Sequence, residues 1–333
     1  MLDEWKAAFL RHTPPTDLML DAGRKALGPA AGTAVVLFGL VLLLLGKRSA
    51  LFAGSLAMLA AFGVANYYRE VFYWWPIDRP DLMSDTPSLL SPPSWHWISL
   101  LFLATQFFGL LARVPSVPLW GGWGLRFGIG FLAALVLVPP GFHTQLPEYY
   151  ASWPFPLQAK VWPILIFGLA IALGWAGTEQ VAKNNPGPMV AFGLAASLFG
   201  ASLVIAHSHT GKYADAVSIP AAALVGIGLV SIFCRVDTGG ALPAVSLILP
   251  SMLFIAYQYM SEQTTVPWQA FVYASLSPLA VSLMALPPFS RLTGFAKWAV
   301  FLVLCLSPTV AGVTYAVKAE TLVDTQTVED EWK

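Results

Sequence analysis

Residues 30–46 read AAGTAVVLFGLVLLLLG and contain no Asp, Glu, Lys or Arg. A helix needs roughly 20 mainly apolar residues to cross a bilayer, so a run of this kind predicts a membrane-spanning segment. The whole chain follows the pattern, since 57% of its 333 residues are hydrophobic, 11% are charged and the mean hydropathy is +0.67. An ordinary soluble domain is about one quarter charged, so the composition indicates an integral membrane protein.

Ten apolar runs of this kind follow one another along the chain. They cover residues 30–46, 50–68, 97–112, 125–142, 161–177, 189–206, 217–234, 241–258, 268–286 and 298–317. None shows the period-two alternation of a membrane β-barrel strand. We therefore predict an all-α, polytopic transmembrane bundle of about ten helices within residues 29–318. The fourth run is the weakest, because it is short and continues into Pro139-Pro140.

The chain is more polar outside the bundle. Residues 1–28 form an amphipathic lead, and we expect its second short helix to stop at Gly28-Pro29. This lead is expected to lie in the membrane interface, and docking to another membrane subunit is the alternative. Residues 319–333 form an acidic C-terminal tail, which we expect to be disordered unless it docks a partner.

Basic residues in the connections between the spans predict the orientation of the protein. The connections after odd-numbered spans contain Lys47, Arg48, Arg113, Arg126, Lys183, Arg235, Arg291 and Lys297. The connections after even-numbered spans contain Arg69, Arg79, Lys160 and Lys212. Because basic residues favour the cytoplasmic side, both termini are expected outside, in a bacterial cytoplasmic membrane. The four basic residues of the lead oppose this orientation and bring the count to eight against eight.

The densest cluster of chemically capable side chains is HSHTGKYAD, residues 207–215, between the sixth and seventh spans. If the spans alternate in direction, four of the five histidines lie on one membrane face, the outer one in this orientation. These four are His96, His143, His207 and His209. Histidine is the commonest metal ligand in proteins, so the four imidazoles form a candidate metal site.

A cofactor is the other candidate ligand of this face. His143 and His207, at the ends of the fourth and sixth spans, could hold a haem b or a quinone. Trp74 and Trp75, in the aromatic and proline-rich loop 69–96, would then form the apolar walls. The alternative is that the imidazoles are ordinary hydrogen-bonding groups at the interface, because their spacing is not diagnostic of any ligand set.

Three functions follow from these patterns. The first is a membrane subunit whose outer-face histidine and tryptophan pocket binds haem, a metal ion or a quinone for electron transfer or complex assembly. The second is a small-solute or lipid carrier built on the kinks at Pro250, Pro278 and Pro308, which are flanked by hydroxyl side chains. The third is a purely structural component, whose partners besides the lipid bilayer would be other membrane subunits.

Several other classes are disfavoured by the sequence. The net charge is zero, so nothing favours nucleic acid binding. The two cysteines, Cys234 and Cys305, form no disulfide framework, and no phosphate loop, hydrolase elbow or dinucleotide fingerprint occurs. Gln106 is the only mid-span residue with a large polar head, and no span is expected to bury a charged side chain. Proton-driven transport usually needs such buried charges, so it is disfavoured as well.

Overall fold

The computed structural model describes residues 20–69, 97–114, 116–137, 157–208, 211–260 and 266–331. Within these ranges the chain is helical and contains no strand. Ten apolar helices occur there in chain order: α1 (Leu20–Leu45), α2 (Ala50–Arg69), α3 (Trp97–Leu111), α4 (Leu119–Leu137), α5 (Leu157–Asn184), α6 (Gly187–His207), α7 (Gly211–Cys234), α8 (Leu242–Met260), α9 (Trp268–Ala285) and α10 (Gly294–Glu331). The prediction of an all-α polytopic bundle is confirmed.

Nine of these described helices are long and apolar enough to cross a membrane. The exception is α3, whose 15 residues give a length of about 22 Å, short of the roughly 30 Å of a bilayer's hydrocarbon core. Each of the ten helices overlaps one of the ten predicted spans. The alternation of apolar runs and polar connections is therefore a good guide to the elements of this fold.

The centre of the bundle is α8, which packs against α3, α5, α7 and α9. In its apolar window, 94% of the residues are buried inside the protein, whereas the corresponding share in α1 is 28%. Helix α7 packs against α6, α1 and α2, while α10 packs against α6 and α9. The outer helices turn apolar side chains such as Leu43 and Phe233 to the surroundings, as a lipid-facing surface requires.

Polar contacts show that the odd-numbered connections share one end of the bundle. Arg113 and Arg126, on either side of the α3–α4 connection, both bind Glu179 near the C-terminal end of α5. Lys297, at the start of α10, donates from Nζ to the carbonyl oxygen of Asn184 at 2.9 Å. We call this the basic end. The connections after α1 and α7 belong to it too, since Ser55, near the start of α2, contacts Gly240, between α7 and α8, and Asp237 lines one cleft with Asn185. The opposite end, which holds Arg69, His207 and Asp215, is the histidine end.

The prediction that a helix stops at Gly28-Pro29 is wrong, because α1 runs through both residues. The five residues Gly23–Leu27 form a π-helical turn, in which the backbone N–H of Gly28 donates to the carbonyl oxygen of Gly23. A π-helical turn is wider than an α-helical one, so it accommodates a proline that has no backbone N–H. Helix α1 therefore begins within the predicted amphipathic lead.

Several other helix bounds also differ from those expected. Helix α4 begins at Leu119, directly after Pro118, rather than at residue 125, and proline commonly marks a helix start. Helix α5 continues to Asn184 instead of ending at residue 177. Helix α10 extends to Glu331, so the acidic tail is helical up to that residue rather than disordered. After Gly312 this segment contains no glycine or proline that would end a helix.

Candidate functional site

Of the predicted histidine site, the structure describes His207. It is the last residue of α6 and is 4% exposed, with the turn at Ser208 closing the helix. His96, His143 and His209 lie outside the described residues, as do Trp74 and Trp75. Within the described ranges there is no group of three His, Cys, Asp or Glu side chains that could hold a metal ion. The convergence of the four imidazoles remains a prediction.

An ion-pair cluster lies at the same end of the bundle as His207. Arg69, at the end of α2, donates from Nε to Asp215 Oδ2 at 2.7 Å and from Nη1 to Asp21 Oδ2 at 2.8 Å. Asp21 also pairs with Lys25 at 2.9 Å, one turn further along α1. One guanidinium therefore joins the ends of α1, α2 and α7. The Arg69 side chain is 25% exposed, so the cluster lies at the surface of the bundle rather than in its centre.

A second charged cluster lies at the basic end and is more deeply buried. Glu179, in α5, is 2% exposed. Its Oε1 lies 2.7 Å from Arg113 Nη2 and accepts a hydrogen bond from Trp175 Nε1 at 2.7 Å, while its Oε2 accepts one from Arg126 Nη2. The side chains of Arg113 and Arg126 are only 9% and 12% exposed. The prediction that no span buries a charged side chain is therefore wrong.

The aromatic surroundings of this triad explain how two cations are tolerated there. The guanidinium carbon of Arg126 lies 5.7 Å from the ring centres of both Trp123 and Trp175, a distance at which cation–π attraction operates. Arg113 Nη1 and Arg126 Nε are nevertheless buried and have no hydrogen-bond partner among the described residues. The triad has a formal charge of +1, and its geometry fits a clamp that joins α3, α4 and α5.

The basic end also carries an open cleft of about 430 Å³. It lies where α5 ends, α6 begins and α7 ends. Its polar lining includes Lys183, Asn185, Arg235 and Asp237, and its apolar lining includes Ile232. A volume of this size is within the usual range of small-molecule sites in proteins.

Gln106, the one residue with a large polar head predicted in mid-span, is bonded to a neighbouring helix. Gln106 is fully buried, and its Oε1 lies 2.8 Å from the hydroxyl of Ser55, which is also 2.9 Å from the carbonyl oxygen of Gly240. Gly240 directly precedes α8, so Gln106 lies towards the basic end. These contacts hold α2, α3 and the start of α8 together.

Hydroxyl side chains near Pro278 and Pro308 also form hydrogen bonds between helices. The carbonyl oxygen of Cys305, three residues before Pro308, accepts hydrogen bonds from Ser197 at 2.8 Å and from Ser277 at 3.1 Å. Ser277 and Thr309 are 2.8 Å apart at their hydroxyl oxygens, and both are buried. These bonds link α6, α9 and α10 to one another near Pro308.

Sequence reasoning overlooked Glu179 because its predicted span ended at residue 177. A signal was present: Trp175 and Glu179 are four residues apart, so they share one helix face, and that tryptophan lies within an apolar run. The chain matches no protein-family model, and a search of curated proteins finds no relative.

Proposed function

We propose that this protein is a non-transporting membrane subunit that binds a redox ligand at its histidine end. The ligand is held by His207 together with His143 and His209, and Trp74 and Trp75 supply apolar walls. A quinone is the preferred ligand, since one imidazole N–H is enough to bind its carbonyl oxygen; haem and a metal ion need further ligands. Electron transfer would then require partner subunits that supply and remove the electrons.

The observation that carries this proposal is the position of His207. Its imidazole is almost fully buried at the end of a transmembrane helix, beside a turn that leads to the Arg69–Asp215 ion pair. Buried polar side chains in membrane helices are commonly functional. The ion pair also supports the site, because it holds the ends of α2 and α7 in fixed positions on this face.

The carrier function receives less support from the geometry. Ser277 and Thr309, two of the hydroxyls expected to line its pocket, are bonded to each other and to the Cys305 carbonyl. Hydroxyls that are already bonded in this way have little capacity left for a passing solute. The subunit function is therefore the one we put to the test.

The test is a ligand analysis of the full-length protein purified in mild detergent. Organic extraction with mass spectrometry measures bound quinone, the oxidised and reduced optical spectra detect haem, and elemental analysis detects metal. We expect near-stoichiometric quinone in the wild type and about tenfold less in His207→Leu, which has no hydrogen-bond donor, because a lost hydrogen bond to a buried group costs about 1–3 kcal/mol.

His12→Leu is the matched control, since His12 is the one histidine outside the predicted site. It should retain the wild-type quinone content. A colourless, metal-free preparation that extracts without quinone would contradict the proposal, and so would equal losses in the two variants.

A further inference from the structure

The cleft at the basic end combines cationic and apolar groups in one place. Lys183, from the last turn of α5, and Arg235, directly after α7, both line it and are both exposed. The one carboxylate in the lining, Asp237, accepts a hydrogen bond from the backbone N–H of Gly239 at 2.7 Å. With Lys297 bound to the neighbouring Asn184 carbonyl, the region has an excess of positive charge.

Arg235 is held in an unusual backbone conformation. Its φ is 52°, in the left-handed region, and its N–H donates to the Ser231 carbonyl oxygen at 2.9 Å to end α7. Helices commonly end this way, but the residue is usually glycine, since a side chain in this conformation is sterically unfavourable. Such strain is concentrated at functional sites. The strain at Arg235 therefore points to a functional role for its long cationic side chain.

Asn185 has a side-chain oxygen that accepts no hydrogen bond from the described residues. Its Nδ2 donates to the carbonyl oxygen of Val181, and its Oδ1 is buried with no partner among the described residues. An amide oxygen accepts hydrogen bonds, so a matching ligand must offer a donor such as a hydroxyl group. Phosphate oxygens alone cannot meet this need.

The apolar side of the cleft faces the lipid. Ile232 lines the cleft and is 47% exposed, and the adjacent Phe233 is 84% exposed. Both belong to the last turn of α7, at the level where a membrane helix emerges among the headgroups. A ligand with acyl chains could cover these two side chains, whereas a fully polar ligand could not.

We propose that this cleft binds an anionic phospholipid with a hydroxylated headgroup, namely phosphatidylglycerol. Lys183 and Arg235 bind the phosphate, the Oδ1 of Asn185 accepts a hydrogen bond from a headgroup hydroxyl, and an acyl chain lies along Ile232 and Phe233. Basic pockets between transmembrane helices bind anionic headgroups in this manner. The site is at the opposite end from the proposed redox ligand, so it does not depend on that proposal.

The experiment follows thermal unfolding of the full-length protein in neutral detergent while short-chain lipid is added. Dioctanoyl phosphatidylglycerol should raise the unfolding midpoint of the wild type, because a ligand bound to the folded state stabilises it. Dioctanoyl phosphatidylcholine should have a smaller effect. Dioctanoyl phosphatidic acid, which lacks the hydroxylated headgroup, should bind more weakly than phosphatidylglycerol. Glycerol 3-phosphate, which has no acyl chains, should have no effect.

Two variants test the cationic residues. Arg235→Gly should fold at least as stably as the wild type, because glycine suits the left-handed position, yet bind phosphatidylglycerol about fivefold or more weakly. The double variant Lys183→Gln, Arg235→Gln should lose about tenfold or more in affinity. The control Lys47→Gln, Arg48→Gln removes the same charge from exposed positions at the same end, away from the cleft, and should bind as the wild type does.

The outcomes separate a specific site from general charge attraction. Wild-type affinity in Arg235→Gly, or an equal loss in the Lys47 and Arg48 control, would overturn the site. Equal responses to the two diacyl lipids phosphatidylglycerol and phosphatidylcholine would overturn the requirement for an anion. Equal binding of phosphatidic acid would overturn the headgroup assignment, and a full response to glycerol 3-phosphate would overturn the lipid as the ligand.

Discussion

Glu179 lies within 2.9 Å of four nitrogen atoms, which belong to Arg113, Arg126 and Trp175. A carboxylate as buried as this one is tolerated only when it is paired and hydrogen-bonded, because removing a charge from water is costly. The same argument applies to the two arginines, whose acceptor among the described residues is Glu179. The stability of the basic end should therefore respond strongly to the charge at position 179.

Glu179→Gln should lower the free energy of unfolding by about 3–5 kcal/mol, since it leaves two buried guanidinium groups without their counterion. The measurement is thermal or denaturant unfolding of the purified protein in detergent. Replacing all three charged residues by methionine should instead be neutral or stabilising, because the desolvation cost disappears along with the attraction.

The comparison of these two variants separates an ion-pair effect from a volume effect. If Glu179→Gln were as stable as the wild type, or if the triple methionine variant lost more stability than the single variant, the assignment of Glu179 as the counterion of the clamp would be wrong.

At the scale of helices, small residues decide how closely α1 and α7 approach. A Cβ atom built on Gly226, in α7, would lie 2.5 Å from the carbonyl oxygen of Ala31 and 3.0 Å from the Cβ of Ala34, both in α1. Backbones this close are typical of small-residue interfaces between membrane helices, where lipid offers no hydrophobic drive for association. The contact is one of several that bury the inner face of α1.

Gly226→Ala should therefore destabilise the bundle by about 1–3 kcal/mol, as overpacking at a tight contact commonly does. Gly32→Ala, in α1, is the matched control, because a Cβ there would meet no atom within 4 Å and alanine is the better helix former. Unfolding of both variants in detergent checks the prediction. Equal stability of the two would show that the α1–α7 contact can relax without cost.

At the scale of the whole molecule, the contacts of the described residues place the connections after the odd-numbered helices at one end. Glu179 and its two arginines join the α3–α4 connection to the end of α5. The hydrogen bond from Lys297 to the Asn184 carbonyl joins the end of α5 to the start of α10. These contacts determine which connections are together. The excess of basic residues predicts that this end lies on the cytoplasmic side of the membrane.

Cysteine labelling tests the sidedness. In a background with Cys234→Ser and Cys305→Ala, single cysteines at the exposed positions Arg48, Gly211 and Thr293 are probed with a membrane-impermeant thiol reagent. In intact bacterial cells Gly211→Cys should react, because it is at the histidine end, which we expect outside. Arg48→Cys and Thr293→Cys should react only after lysis. Opposite reactivity of the latter two would contradict the shared basic end, and reversed labelling of all three would invert the orientation.

The helices themselves could be read from the chain, because each is a long apolar run that can satisfy its backbone only as a helix in lipid. Their ends were less predictable. Gly28-Pro29 was expected to end a helix, yet α1 continues through it by a π-helical turn. The fifth span was expected to end at residue 177, yet α5 continues to Asn184. Each of these outcomes depends on backbone geometry or on a partner from another helix.

The sequence by itself determined that this is a polytopic helical membrane protein, since composition and run length leave no other way to satisfy its backbone groups. It also indicated that the basic connections alternate with the histidine-bearing ones. Only the tertiary structure decided that Arg113, Arg126 and Glu179 form one cluster. The two arginines precede Glu179 by 66 and 53 positions in the chain, so they meet it only when α3, α4 and α5 pack together. The cleft at Lys183 and Arg235 is decided in the same way, by how the ends of α5, α6 and α7 are placed around it.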